Sequence, residues 1–182
     1  MGDLYIPGAG ISIPAADYNL PGGSYEGVTL NQVPEGLLKI TNPAVVYVSG
    51  SGGNPWGHAM FMISPSIGYI HAADPGMNKS RFVPHDEFER FMKEMKKTSW
   101  SMQPVELGNK TAAATFMRQC FLVGFNWQPW HNCVTLCIEI CQHGQSNVIP
   151  TSVFPSTAKN DPGNIAKPKF SHPYDSITND ML

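Results

Sequence analysis

Charge is scarce in this 182-residue chain: Asp, Glu, Lys and Arg make up 14% of it and balance to −2. With so little charge and no basic excess, neither a groove that tracks phosphates nor a polybasic membrane surface is expected, so nucleic acid is not a predicted partner. No apolar run approaches the ~20 residues that a spanning helix needs, so no transmembrane segment is predicted. The opening MGDLYIPGAG also lacks the basic stretch and apolar run of a secretion signal. These absences predict a protein made in the cytoplasm, whose export would need a specialised system. No internal repeat is visible. Four cysteines, three of them crowded between positions 133 and 141, do not form the spread framework of a disulfide-stapled domain and are read as reduced thiols.

Hydrophobic residues make up 42% of the chain, and its length suits one domain with a real core over 1–182. The 17 glycines and 16 prolines gather toward the two ends. That distribution predicts an irregular N-terminal segment over 1–43, a catalytic core over 44–144 and an irregular C-terminal segment over 145–182.

Within the core, AVVYVSG from Ala44 is a β-branched and aromatic run that ends in glycine. GHAMFMIS from Gly57 and IGYIHAAD from Ile67 read as two strands joined at Ser64-Pro65-Ser66. The loop Gly50, Gly52, Gly53, Asn54 and Pro55 delivers the chain to His58. From Pro84 to Lys97 the apolar Phe88, Phe91, Met92 and Met95 recur at helical spacing, with acids early and lysines late, which predicts a surface helix. WSMQPVEL from Trp100 predicts a strand whose Pro104 marks an edge or an end. A second helix is predicted from Asn109 to Val123, stopped by Gly124, and a third from Asn132 to Gly144.

The third helix carries Cys133, Cys137 and Cys141. A rise of ~1.5 Å per residue separates the first from the last by roughly 12 Å, too far for all three to meet one ion at zinc–sulfur distances of ~2.3 Å. No metal site is expected, although two of these thiols with a distant histidine would be the alternative. Cys137 and Cys141 read as small core hydrophobes beside Val134, Leu136, Ile138 and Ile140. Cys133 differs because Asn132 can cap the helix, which leaves the thiol in the first turn. There the positive dipole end and unpaired N–H groups would lower its pKa and could hold an oxyanion.

A nucleophilic thiol needs a base. His58 opens an otherwise apolar strand, where packing alone would not place a polar residue, and His71 lies on the paired strand. His71 could bond the second nitrogen of His58 and fix its tautomer, and Asp74 competes for that role. His131 adjoins the helix, and His85, His143 and His172 stand in polar contexts. Trp56, Trp127 and Trp130 are candidates for a substrate groove.

A strand histidine in GHAMFMI, a second in GYIHAAD and an Asn-Cys opening a helix in HNCVTLC follow one another in an order that resembles the circularly permuted papain-like proteins. That group holds the permuted NlpC/P60 hydrolases and the lecithin:retinol acyltransferase-like enzymes, whereas ordinary papain relatives place cysteine before histidine. The segment AAATFMRQCFLVGFNW also resembles the lead into the cysteine helix there, so the likeness covers about 44–144. It implies an α+β, permuted papain-like fold with an antiparallel sheet packed against helices. It also implies Cys133 as nucleophile, His58 as base and His71 as orienter. The chain departs from the acyltransferase branch in having Val134-Thr135 after the cysteine instead of Glu-His, and in lacking the C-terminal membrane helix common there.

The leading expectation is therefore a cofactor-free thiol hydrolase of the cysteine-peptidase or amidase type. It would act on an amide in bacterial cell-wall peptide, as an antibacterial effector of a contact-dependent (type VI) secretion machine with an immunity or inhibitor protein as partner. A lipid or thioester acyl hydrolase or acyltransferase of the same fold is the second expectation. A non-enzymatic binding module is the third.

Overall fold

The computed structural model describes residues 2–21, 23–50, 56–72, 79–128 and 131–150 and the backbone of 165–167. The chain is α+β, with a large antiparallel sheet and three α-helices. Two short strands, β1 (Leu4–Ile6) and β2 (Ile11–Ile13), pair with each other. The eight-stranded sheet is formed by β3 (Tyr18–Asn19), β4 (Val28–Leu30), β5 (Ala44–Val48), β6 (His58–Ser64), β7 (Gly68–His71), β8 (Arg81–Pro84), β9 (Trp100–Pro104) and β10 (Ile165–Lys167). Their spatial order is β10-β9-β5-β6-β7-β8-β4-β3. The helices are α1 (Phe88–Glu94), α2 (Lys110–Leu122) and α3 (Cys133–His143).

Strand β5 is buried at all five positions and β6 at every position after His58, because both faces of the sheet are covered. On one face Tyr47, Phe61, Ile70 and Phe82 meet Met117 and Phe121 of α2 and Val134, Leu136 and Ile140 of α3. On the other, Val46, Met60, Met62 and Tyr69 meet Phe88, Phe91 and Met92 of α1 and Trp100. An antiparallel sheet with one wet face would alternate apolar and polar residues. With two dry faces the run becomes continuously apolar.

The predicted elements at Ala44, His58, Gly68, Trp100, Asn109 and Asn132 all form near their expected bounds. Pro104 is the last residue of β9, so the proline stands at a strand end. Between Pro84 and Lys97 the structure differs from the expected single helix. Arg81–Pro84 pairs with β7 as β8, a short 3-10 turn covers His85–Glu87, and α1 begins only at Phe88. Pro84 suits a strand end, and Lys96 in the left-handed region (φ 53°) ends the helical path.

The ends differ too. Instead of an irregular segment over 1–43, the N-terminal stretch supplies β1 to β4, and β4 pairs with β8 at Val28↔Phe82 and Thr29↔Arg81. Beyond 145, β10 pairs with β9 at Ala166↔Ser101. These strands span only two or three residues each, and β4 and β10 find ladder partners far away in sequence. The expected loop at 51–55 and the remainder of 151–182, His172 included, lie outside the described residues.

One glycine is decisive here. Gly27 sits at φ 90°, and a Cβ there would stand 2.5 Å from the carbonyl oxygen of Phe82. Gly27→Ala is therefore expected to destabilise the fold by about 1–3 kcal/mol and to push residue 26 away from β7. Urea unfolding at neutral pH checks this, and a change under about 0.5 kcal/mol would show that the close approach is dispensable.

Candidate active site

Asn132 has extended backbone, and its side-chain oxygen accepts from the Val134 N–H at 2.9 Å. The Thr135 hydroxyl returns the favour by accepting from the Asn132 N–H at 3.2 Å. This reciprocal capping box sets where α3 begins and so puts Cys133 at the first helical residue, as the sequence implies. The thiol is 5% exposed. Backbone N–H groups of Ala59, Val134 and Cys133 itself favour its ionised form, as does the charge of Lys97. Burial outweighs them and pushes the thiol up to about 11. The depressed thiol pKa expected from the helix position is thus not found. The dipole acts, but desolvation of a buried anion is the larger effect.

The other thiols follow the packing expectation. Cys120, Cys137 and Cys141 are buried and free, and burial raises all three.

His58 and His71 meet across β6 and β7, with His58 Nε2 and His71 Nδ1 2.6 Å apart and the rings edge to face. His71 Nε2 lies 2.7 Å from the carbonyl oxygen of Glu26. A carbonyl only accepts, so His71 carries its proton on Nε2. Burial lowers His71 to about 4 and His58 well below 6.5, so at neutral pH both rings are uncharged. His71 Nδ1 must then accept, His58 Nε2 must donate, and His58 Nδ1 is left with a lone pair. The chain of bonds selects the tautomer that a base requires.

The Glu26 carboxylate in turn holds Arg81 at 2.5 Å, in the register position facing His71. Arg81 and Lys97 both disfavour a charged His58. Phe91 of α1 packs against both imidazoles, at 6.2 Å from His58 and 5.7 Å from His71 between ring centroids.

The two histidines therefore project onto the α1 face of the sheet, whereas Cys133 arrives with α3 on the opposite face. The thiol meets the sheet at the N–H of Ala59, the residue after His58, near the start of β6. Among the described residues the thiol and the imidazole share no hydrogen bond. They are sequence neighbours of one contact point, since Cys133 meets the N–H of Ala59 and His58 is the residue before it.

Trp56, 60% exposed, stands two residues before His58, while Trp127 is partly buried against the α3-side core. Asp74 and Trp130 lie outside the described residues. His131 contacts the Asn126 carbonyl at 2.6 Å and Glu139 at 2.8 Å, His85 stacks on Tyr69, and His143 on Phe116, so these three serve elsewhere. The roles of Glu26, Arg81 and Lys97 escape the sequence reading. Each depends on distant chain segments meeting, and no local pattern marks them.

Among the described residues no helix is long and apolar enough to cross a membrane. Comparison with models of protein families, with curated proteins and with solved structures yields no match.

Proposed function

We propose that this protein is a thiol hydrolase of the permuted papain-like kind that cleaves an amide in bacterial cell-wall peptide. The observation that carries the reading is the oriented relay from Glu26 through His71 to His58, which leaves a basic nitrogen beside the strand that Cys133 touches. Structural histidines could stack without this ordering. The relay gives the pair a direction.

In the proposed reaction Sγ of Cys133 attacks the amide carbonyl while His58 Nδ1 takes the thiol proton through one intervening water. The resulting imidazolium keeps donating from Nε2 to His71, which disperses the charge. Backbone N–H of Cys133 faces the oxyanion, and His58 returns the proton to the leaving amine. Water then attacks the thioester, gives a proton to His58 and frees the acid, and that proton goes back to the thiol. Because the resting thiol is neutral, this is general-base catalysis and not attack by a preformed ion pair.

Delivery to other bacteria by a specialised secretion machine, and a neutralising partner in the producing cell, belong to the same proposal. Incubation with defined muropeptides under reducing conditions tests it, with mass spectrometry of the fragments. Release of one new amine and one new carboxyl per cleavage is expected. Intact muropeptides alongside a cleaved ester lipid would move the substrate to acyl lipids.

A further inference from the structure

Arg81 is a buried cation that the proton relay does not itself use. It opens β8, is 3% exposed, and its guanidinium pairs with the Glu26 carboxylate at 2.5 Å. A buried ion pair adds little stability, because desolvating two charges offsets most of their attraction. What such a pair does well is fix geometry.

Two placements show which geometry it fixes. Arg81 stands directly opposite His71 in the β7–β8 ladder, so the two side chains leave the same face of the sheet. Glu26 joins them from a distant segment: its carboxylate holds Arg81, and its backbone carbonyl accepts from His71 Nε2 at 2.7 Å. Ladder, ion pair and hydrogen bond thus close a loop of contacts through Arg81, Glu26 and His71. The flanking residues are tethered as well. The Tyr25 N–H donates to the Glu94 carboxylate at 2.7 Å, Arg90 lies 4.3 Å from the centre of the Tyr25 ring, and Gly27 passes too close to the Phe82 carbonyl to admit a Cβ. These tethers set the path of the segment, and the ion pair acts on residue 26 itself.

We propose that Arg81 and Glu26 are positioning residues for the base: their ion pair holds the Glu26 carbonyl against His71 and thereby keeps His58 turned with Nδ1 as its open nitrogen. Neither side chain touches the reacting atoms. Without the pair residue 26 can withdraw, the buried His71 N–H loses its acceptor, and the ring that orients His58 is no longer fixed. The effect on reaction rate rests on the thiol-hydrolase reading, whereas the effect on the two imidazoles does not.

The test is proton–nitrogen NMR of protein labelled in its histidine rings, in which a ring N–H held in a hydrogen bond is protected from exchange with water. His58→Gln and His71→Gln assign the signals, and the native protein is expected to show a protected Nε2–H on both rings. The variants are R81M and the double variant E26Q/R81M, which removes both charges and so leaves no lone buried ion to unfold the chain. Near-UV circular dichroism confirms that each is folded. In both, the His71 N–H should exchange about tenfold faster or more, and R81K, which keeps the cation, should restore most of the protection. A His71 N–H equally protected in R81M and in the double variant overturns the proposal. A native protein with no protected N–H on His71 overturns it without recourse to any variant. With muropeptides as substrate, the double variant should lower kcat about tenfold at unchanged KM, because orientation and not binding is lost. Protection that depends on Arg81, with muropeptides left intact, would overturn the hydrolase reading alone and leave the positioning role standing.

Discussion

Cys133→Ala is expected to lower peptide-amide cleavage by about a thousandfold or more, since the reaction then loses its covalent intermediate. His58→Ala should cost about 10²- to 10⁴-fold, the usual worth of a positioned base. Because the two act as one unit, the double variant should be hardly worse than Cys133→Ala. The thiol is buried at the start of a capped helix, so alanine fits without strain, and near-UV circular dichroism should be unchanged. The same single variants separate the catalytic reading from a binding module. If His58→Ala retains full activity, another base serves Cys133, and the opposite-face placement of thiol and imidazole is the reason to look for it. If Cys133→Ala retains it, the thiol is merely packed.

Acidification should destabilise the fold strongly, and His71 should be a main cause. Its ring is 2% exposed and donates to the Glu26 carbonyl while accepting from His58. A proton on Nδ1 would replace that acceptance with a clash of two donors. The folded value of about 4 lies below the unfolded value of 6.5. Stability contributed by the neutral ring is therefore fully present above pH 6.5 and is lost as pH falls through about 4, because only the unfolded chain binds the proton in that window. A gap of this size corresponds to about 3 kcal/mol. His58, shifted in the same direction, adds to the loss. Urea unfolding at a series of pH values from 7.5 to 4, in the native protein and in His71→Gln, isolates the contribution. The variant should show a shallower fall. Equal slopes would show that carboxylates elsewhere, and not this ring, govern acid sensitivity.

The burial that keeps His58 unprotonated also keeps Cys133 protonated, so both groups rest uncharged at neutral pH.

What the sequence by itself determined was local. Apolar runs at Ala44 and Gly57, helical spacing at Phe88 and after Asn109, and an asparagine ahead of Cys133 each act within a few residues, and each produced its element. The pairing of His58 with His71 was also legible, because adjacent antiparallel strands joined by a short turn bring their side chains together. Only the tertiary structure decided the rest. Strands β3, β4, β8 and β10 span two to four residues and have no stable pattern without their distant partners. The tautomer of His71 was set by a carbonyl 45 positions earlier in the chain. The protonation of Cys133 was decided by burial, a property of the packed molecule as a whole. A helix dipole can be read from residues in a row, whereas the desolvation that overrides it comes from everything folded around them.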